Sequence, residues 1–135
     1  LSNRLRHVRV CCGNWSRIMG PTPTYKMGTC GVFLDPPYTE SAERTEGLYN
    51  KDSLTVAKEV EQWCRENEDN PKLRIALCGY AGDYDLPGWD CVQWKANGGY
   101  ANQGDGKREN ATKEVIWFSP HCVKPTATGL FAESG

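Results

Sequence analysis

The chain has 135 residues, with 16 Lys and Arg against 17 Asp and Glu and a formal net charge of −1. That length is typical of one domain with one core. The near-neutral balance argues against a dedicated electrostatic grip on nucleic acid, although it leaves room for a local basic patch. No apolar run reaches membrane-spanning length and no signal-peptide pattern opens the chain, so we expect a cytoplasmic protein without membrane contact.

Seven cysteines are present, an odd number, and none of them belongs to a Cys-x-x-Cys pair. Most of them fall in apolar segments, where a free cysteine behaves as a small hydrophobic residue. We therefore expect reduced and mostly buried thiols, and we predict no metal site. The cysteines are at positions 11, 12, 30, 64, 78, 91 and 122.

The first third of the chain is predicted to contain two strands. Residues 5–12 alternate loosely and carry β-branched side chains, which favours a strand. Gly13 and Asn14 end that strand, and residues 15–19 are expected to form a short helical turn. Residues 29–34 form an apolar run that predicts a buried second strand.

A polar stretch and a helix are predicted to follow. The stretch 39–51 is rich in charge and is expected to be a long functional loop or lid. Asp52 or Ser53 is predicted to cap a helix that runs to about Asn67. Apolar residues at helical spacing define the side that faces the core, namely Val56, Val60, Trp63 and Cys64.

The remaining strands are predicted at 73–78, 89–95 and 114–118, the last two as an antiparallel hairpin around a Gly-rich loop. A strand–helix–strand unit with buried strands favours an α/β fold with a mostly parallel sheet. Residues 123–135 lack apolar periodicity and are expected to form a flexible tail, so the domain is predicted to span residues 1–122.

Four residues, Asp35-Pro36-Pro37-Tyr38, directly follow the second predicted strand. Two prolines also serve simply to stop strand pairing, because neither donates a backbone hydrogen bond. Ligands, however, bind outside the carboxyl ends of parallel strands, which favours a site. Asp35 and the Pro36 carbonyl can accept hydrogen bonds from both N–H groups of an exocyclic amino group. This directs the lone pair of the nitrogen at an electrophile. Tyr38 offers a ring on which a flipped base can stack.

The motif resembles the catalytic motif of the Dam-like, adenine-specific DNA methyltransferases, which use S-adenosylmethionine. Residues 10–15 are similar to the family's preceding strand, and residues 73–80 and 114–120 to parts of its C-terminal half. The resemblance implies a partial Rossmann-like methyltransferase sheet and methyl transfer to a flipped adenine in double-stranded DNA, with restriction–modification, repair and phage defence left open as the biological role. It also implies that Asp35, Pro36, Pro37 and Tyr38 are catalytic.

The resemblance implies further contacts. Asn14 and Asp35 are expected to bind the cofactor, with the Asn14 amide oxygen accepting from the cofactor's adenine amino group. Tyr38 is expected to contact the nucleic acid through the stacked base. Separately from the resemblance, Lys51, Lys107 and Arg108 are candidate phosphate contacts, and the alternative for each of them is an ordinary solvated surface charge.

Two parts of the family's pattern have no counterpart in this sequence. These are the glycine-containing turn that holds the methionine end of the cofactor and the target-recognition insert. Most of the basic surface expected for DNA is missing as well. We therefore expect the chain to be a C-terminal portion that misses the N-terminal half of its own domain. Such a portion is expected to be marginally stable or inactive alone, with an exposed apolar sheet edge.

Two alternatives stay open. The same chemistry serves adenine in RNA or a protein amide in related motifs, usually with Asn in the first position, so Asp35 favours DNA adenine. A catalytically silent, nucleic-acid-binding remnant of the fold is an alternative of a different class. The absent cofactor turn favours that remnant, whereas the intact tetrapeptide favours an enzyme.

Overall fold

The computed structural model describes residues 2–37, 48–93 and 114–124. None of the helices in these ranges has both the length and the hydropathy of a membrane span. The elements, in chain order, are helix α1 (Ser2–Leu5), a 3-10 helix (Trp15–Ile18), strand β1 (Cys30–Leu34), helix α2 (Leu48–Asn67), and strands β2 (Leu73–Tyr80), β3 (Asp90–Gln93) and β4 (Glu114–Phe118).

The four strands form one open mixed sheet in the order β1-β2-β4-β3. β1 runs parallel to β2, with Leu34 beside Leu77, and β4 runs antiparallel to both β2 and β3. The predicted antiparallel pairing of the last two strands is therefore confirmed. Of the three pairings in the described residues one is parallel, so the sheet is mixed rather than mostly parallel as predicted.

Residues 5–12 do not form the strand that their alternation predicts. Leu5 ends α1, and the residues up to Cys12 have no regular structure. Every residue from 5 to 12 is exposed, and Val10 is 93% exposed, so neither side of the segment is buried. A strand needs a partner for its backbone hydrogen bonds, and no described strand pairs with this segment. The loss of this strand also explains why the sheet is less parallel than predicted.

The core lies between α2 and one face of the sheet. On the helix, Val60 and Cys64 are buried and Trp63 is half-buried, which confirms the predicted core-facing side. On β2, Leu73, Ile75 and Leu77 alternate with more exposed residues and are fully buried. Burial of each such side chain stabilises the fold by about 1.5–3 kcal/mol.

The helix begins earlier than the sequence predicts. α2 starts at Leu48 and ends at Asn67, so its end is as predicted, but Asp52 and Ser53 lie inside the helix instead of capping it. The predicted loop 39–51 is correspondingly shorter, and the part up to residue 47 lies outside the described residues. The predicted tail also lies outside them from residue 125 onward.

The cysteines are reduced but mostly not buried. All seven are free, and Cys64 alone among them is buried. Cys11 and Cys12 are exposed because they lie in the segment that forms no strand, and Cys91 is exposed because β3 is an edge strand. The prediction of mostly buried thiols is therefore wrong.

Among the described strands, β1 is the outermost on its side of the sheet, and Phe33 on that strand is 66% exposed. The exposed edge expected for residues 5–12 does not occur there, because those residues form no strand. Native sheets usually protect such edges with charged residues, proline or a bulge. Strand β1 contains neither a charged residue nor a proline.

Candidate active site

The residues Asp35, Pro36 and Pro37 leave the sheet at the carboxyl end of β1. The parallel register pairs Leu34 with Leu77, so Asp35 follows at the level of Cys78 on the neighbouring strand. Asp35 is exposed and Pro36 is half-buried. Tyr38 lies outside the described residues. The motif therefore directly follows a parallel strand, as predicted, but this strand is not buried throughout, since only Val32 and Leu34 are buried and Phe33 is exposed.

A groove of about 340 Å³ opens beside these residues. Most of its wall is apolar, and the carboxylate of Asp35 is its one acidic group among the lining residues. The wall comes from the 3-10 helix region, β1 with the motif, and α2. The lining residues are Trp15, Ile18, Met19, Phe33, Leu34, Asp35, Pro36, Pro37, Val56 and Val60. Such a volume lies at the small end of ligand pockets, which run from about 300 to 1,000 Å³.

Asn14 borders a neighbouring cavity of about 280 Å³, which shares Trp15 and Ile18 with the groove. The fold therefore brings the two predicted cofactor residues, Asn14 and Asp35, to adjoining cavities. Asn14 does not follow a strand, since residues 5–12 form none. It instead caps the 3-10 helix Trp15–Ile18.

The cap uses the amide oxygen of Asn14. Its Oδ1 accepts a hydrogen bond from the Ser16 backbone N–H at 2.9 Å and one from the Ser16 hydroxyl at 2.7 Å. An amide oxygen has two lone pairs, so both acceptor positions are used, while the two N–H donors of the amide make no bond within the described residues. A direct acceptor role toward a ligand would require this cap to open.

Trp15 connects the two cavities and is a residue that the sequence reasoning did not place in the site. Its ring contacts Trp63 of α2 edge to face, with the ring centres 6.3 Å apart. Its indole Nε1 is buried without a hydrogen-bond partner in the described part of the chain. The sequence signal for Trp15 is its place next to Asn14, because its partner is 48 residues away and no local pattern links the two.

The negative charge of Asp35 acts on its surroundings. Burial raises the pKa of the Cys78 thiol, and the nearby carboxylates of Asp35 and Glu114 raise it further. The thiol is therefore held in its neutral form beside the motif. Cys78 is a neutral neighbour of the carboxylate rather than a thiolate nucleophile.

The end of β2 next to the motif is closed by a tight turn. The Asp83 carboxylate accepts a hydrogen bond from the Tyr80 N–H at 2.8 Å, and the Asp83 N–H donates to the Tyr80 carbonyl at 2.9 Å. Gly79 precedes this turn, and a Cβ there would lie 2.8 Å from the Tyr84 ring. The turn fixes the carboxyl end of β2, the strand that pairs with β1 up to Leu34.

The three cations predicted to contact phosphate lie outside the side chains that the structure describes. Lys107 and Arg108 lie outside the described residues, as does the side chain of Lys51. No cluster of three or more His, Cys, Asp or Glu side chains suited to a metal ion occurs in the described ranges.

Compared with known proteins, the chain matches no family model, no curated protein and no solved structure. The resemblance to the Dam-like methyltransferases accordingly stays a prediction. It rests on the tetrapeptide and on the order of the sequence segments around it.

Proposed function

We propose that this chain is the catalytic portion of a Rossmann-like, S-adenosylmethionine-dependent DNA methyltransferase that acts on the exocyclic amino group of adenine. The observation that carries the proposal is the position of Asp35-Pro36-Pro37 at the carboxyl end of β1, where the residues border an apolar groove. Ligands of open α/β sheets bind at such ends. A turn that only stopped the strand would need neither the carboxylate nor the groove.

The chemistry follows from the groups at the rim of the groove. The adenine amino nitrogen is a poor nucleophile because its lone pair is delocalised into the ring. Asp35 and the Pro36 carbonyl accept hydrogen bonds from its two N–H groups, which draws the nitrogen toward tetrahedral geometry. Proline at 36 and 37 restricts the backbone and adds no competing N–H, so the direction of the carbonyl is set before the substrate binds.

The cofactor would supply a methyl group on a sulfonium, which needs no metal and no covalent enzyme intermediate. The apolar wall of the groove, with Trp15 and Met19, fits a planar or aliphatic part of such a molecule. Asn14 fits less directly, since its oxygen already accepts two hydrogen bonds. Its free N–H groups can donate to a ligand in the adjoining cavity, which is the role we assign to it.

Tyr38 completes the proposed site by stacking on the flipped base, as the sequence motif implies. An aromatic side chain next to the amino-binding residues holds an extruded base at a cost of a few kcal/mol in lost duplex stacking. We also propose, from the sequence alone, that Lys51, Lys107 and Arg108 contact phosphates of the nucleic acid.

Methyl transfer from labelled S-adenosylmethionine to unmethylated duplex DNA tests the proposal. The chain, and the longer polypeptide expected to contain it, are assayed as wild type and as Asp35→Ala. Glu59→Ala is the matched control, because it removes one exposed carboxylate from the outer side of α2. We expect Asp35→Ala to reduce transfer by at least about a hundredfold, the scale of removing one preorganised polar group at a reacting centre. Glu59→Ala should leave transfer unchanged.

The acceptor is identified in the same assay. Duplex DNA, single-stranded RNA and a protein mixture are offered in parallel, and the labelled base is identified after digestion. Label on N6 of adenine in DNA supports the proposal. Label confined to RNA or protein contradicts the choice of acceptor, and no transfer by any form of the protein leaves the silent nucleic-acid-binding module as the better description.

A further inference from the structure

Charge is distributed very unevenly along this chain. Residues 1–34 contain five of its 16 Lys and Arg and none of its 17 Asp and Glu. The segment therefore carries a formal charge of +5, and the remainder of the chain carries −6. The net charge of −1 conceals this separation.

We call the five cations of this segment together the basic N-terminal surface. All five side chains are exposed, and in the described residues the ion pairs involve Arg65 and Lys124 instead. No carboxylate of the described ranges therefore neutralises the surface. Its members are Arg4, Arg6, Arg9, Arg17 and Lys26.

Two of these cations lie next to the candidate active site. Arg17 lines the cavity that Asn14 borders, and this cavity shares Trp15 with the groove of Asp35. Arg9 lines a larger cavity together with Phe33, which also lines the groove. The groove that holds the catalytic carboxylate is thus flanked by positive charge.

We propose that the basic N-terminal surface binds the phosphate backbone of the nucleic acid whose base enters the groove. The inference rests on the proposed function for the choice of partner. Ordinary surfaces mix charges of both signs, whereas a run of 34 residues without a single acid matches a polyanion. The position beside the groove favours nucleic acid over an acidic protein or an anionic membrane. Because phosphate contacts position a nucleic acid without reading its sequence, the surface would supply affinity and not specificity.

The test measures binding of a fluorescein-labelled DNA duplex by anisotropy, without cofactor, between about 50 and 200 mM salt. One variant carries Arg6→Gln, Arg9→Gln and Arg17→Gln. The matched control carries Lys58→Gln, Lys72→Gln and Arg74→Gln, which removes the same charge from exposed positions elsewhere. A third variant changes the same three arginines to lysine and so keeps the charge.

We expect the N-terminal glutamine variant to bind on the order of tenfold more weakly or worse, and its salt dependence to become shallower by roughly 0.9 for each lost contact. The lysine variant should bind like the wild type, because phosphate attraction requires charge above all. The control variant should bind within about threefold of the wild type. Equal weakening by the two glutamine variants, or weakening by neither, would overturn the proposal.

Competitors decide between the possible polyanions. Unlabelled duplex should displace the probe, whereas poly-glutamate at the same charge concentration and phosphatidylserine vesicles should not. Displacement by either with equal potency would overturn the assignment to nucleic acid. Methyl transfer is not read in this experiment. Loss of transfer in Asp35→Ala therefore tests the enzyme proposal separately, and each proposal can fail while the other stands.

Discussion

The hydroxyl of Ser119 accepts a hydrogen bond from the backbone N–H of Ile75 at 2.9 Å, although 44 residues separate the two in sequence. In return the Ser119 N–H donates to the Ile75 carbonyl at 2.9 Å. The side chain thus continues the pairing of β2 and β4 beyond the last residue of β4. Ser119 is 2% exposed, so water does not replace the bond readily.

Replacement of Ser119 by alanine is therefore expected to destabilise the fold by about 1–3 kcal/mol, because it leaves the buried Ile75 N–H without an acceptor. Urea unfolding followed by tryptophan fluorescence measures the loss. Thr22→Ala, at an exposed position without a hydrogen bond in the described residues, is the control and should change stability by less than about 0.5 kcal/mol. Equal stability of Ser119→Ala and wild type would show that water or Cys122 satisfies the N–H.

Gly79→Ala should destabilise the domain through overpacking. A Cβ at this position would lie 2.8 Å from the Tyr84 ring and 3.1 Å from the Trp117 ring, and these rings pack edge to face at 5.3 Å. Neither ring can yield without disturbing the other, so a loss of about 1–3 kcal/mol is expected. The same change at Gly31, where nothing lies within 4 Å, is the control. A loss of similar size at both glycines would contradict the role of the ring pair.

The fold was predicted correctly where a segment with an apolar sequence pattern also packs against another element of the fold. β1, β2 and β4 contain apolar residues that α2 covers, so local pattern and packing agree. Residues 5–12 have a similar pattern without a partner, and Val10 is exposed as a result. Trp15 was missed because its contact with Trp63 is distant in sequence. Asn14 was expected to bind the cofactor. Its side chain instead accepts a hydrogen bond from the Ser16 N–H and caps the 3-10 helix. The basic N-terminal surface was missed because the net charge of the whole chain is near zero. The acidic residues after position 34 cancel the positive charge of the first 34 residues.

Alkaline pH should destabilise the fold in part through Cys64. Burial raises the pKa of this thiol from 9.0 to about 12, and the carboxylates of Glu61 and Glu68 add to the effect. The unfolded state loses the thiol proton near 9.0 while the folded state keeps it. The contribution of this thiol to the free energy of unfolding is therefore fully present below pH 9.0. It falls as pH rises toward 12, by at most about 1.4 kcal/mol per pH unit.

Unfolding in urea at about pH 8 and about pH 10.5 measures this slope for the wild type and for Cys64→Val, which cannot ionise. The variant should lose less stability over the interval, although both lose some because the pKa of the buried Tyr84 is raised as well. Cys11→Val, at an exposed thiol, should keep the wild-type slope. An identical slope in Cys64→Val would mean that the thiol ionises equally in both states.

The last prediction separates the capping role of Asn14 from its proposed binding role. Asn14→Asp keeps an oxygen for both Ser16 hydrogen bonds but removes the two N–H donors, whereas Asn14→Ala removes all of them. Alanine should therefore cost about 0.5–2 kcal/mol of stability, while aspartate should match the wild type within a few tenths.

Cofactor affinity, measured by calorimetry with S-adenosylmethionine, gives the second readout. If Asn14 binds through its N–H donors, aspartate and alanine should both weaken binding, although only alanine weakens the fold. Weaker binding in alanine alone would mean that the cap positions Trp15 and that Asn14 makes no contact with the cofactor. Stronger binding in aspartate would mean that an acceptor is needed there, and the 3-10 helix must then release its cap when the cofactor binds.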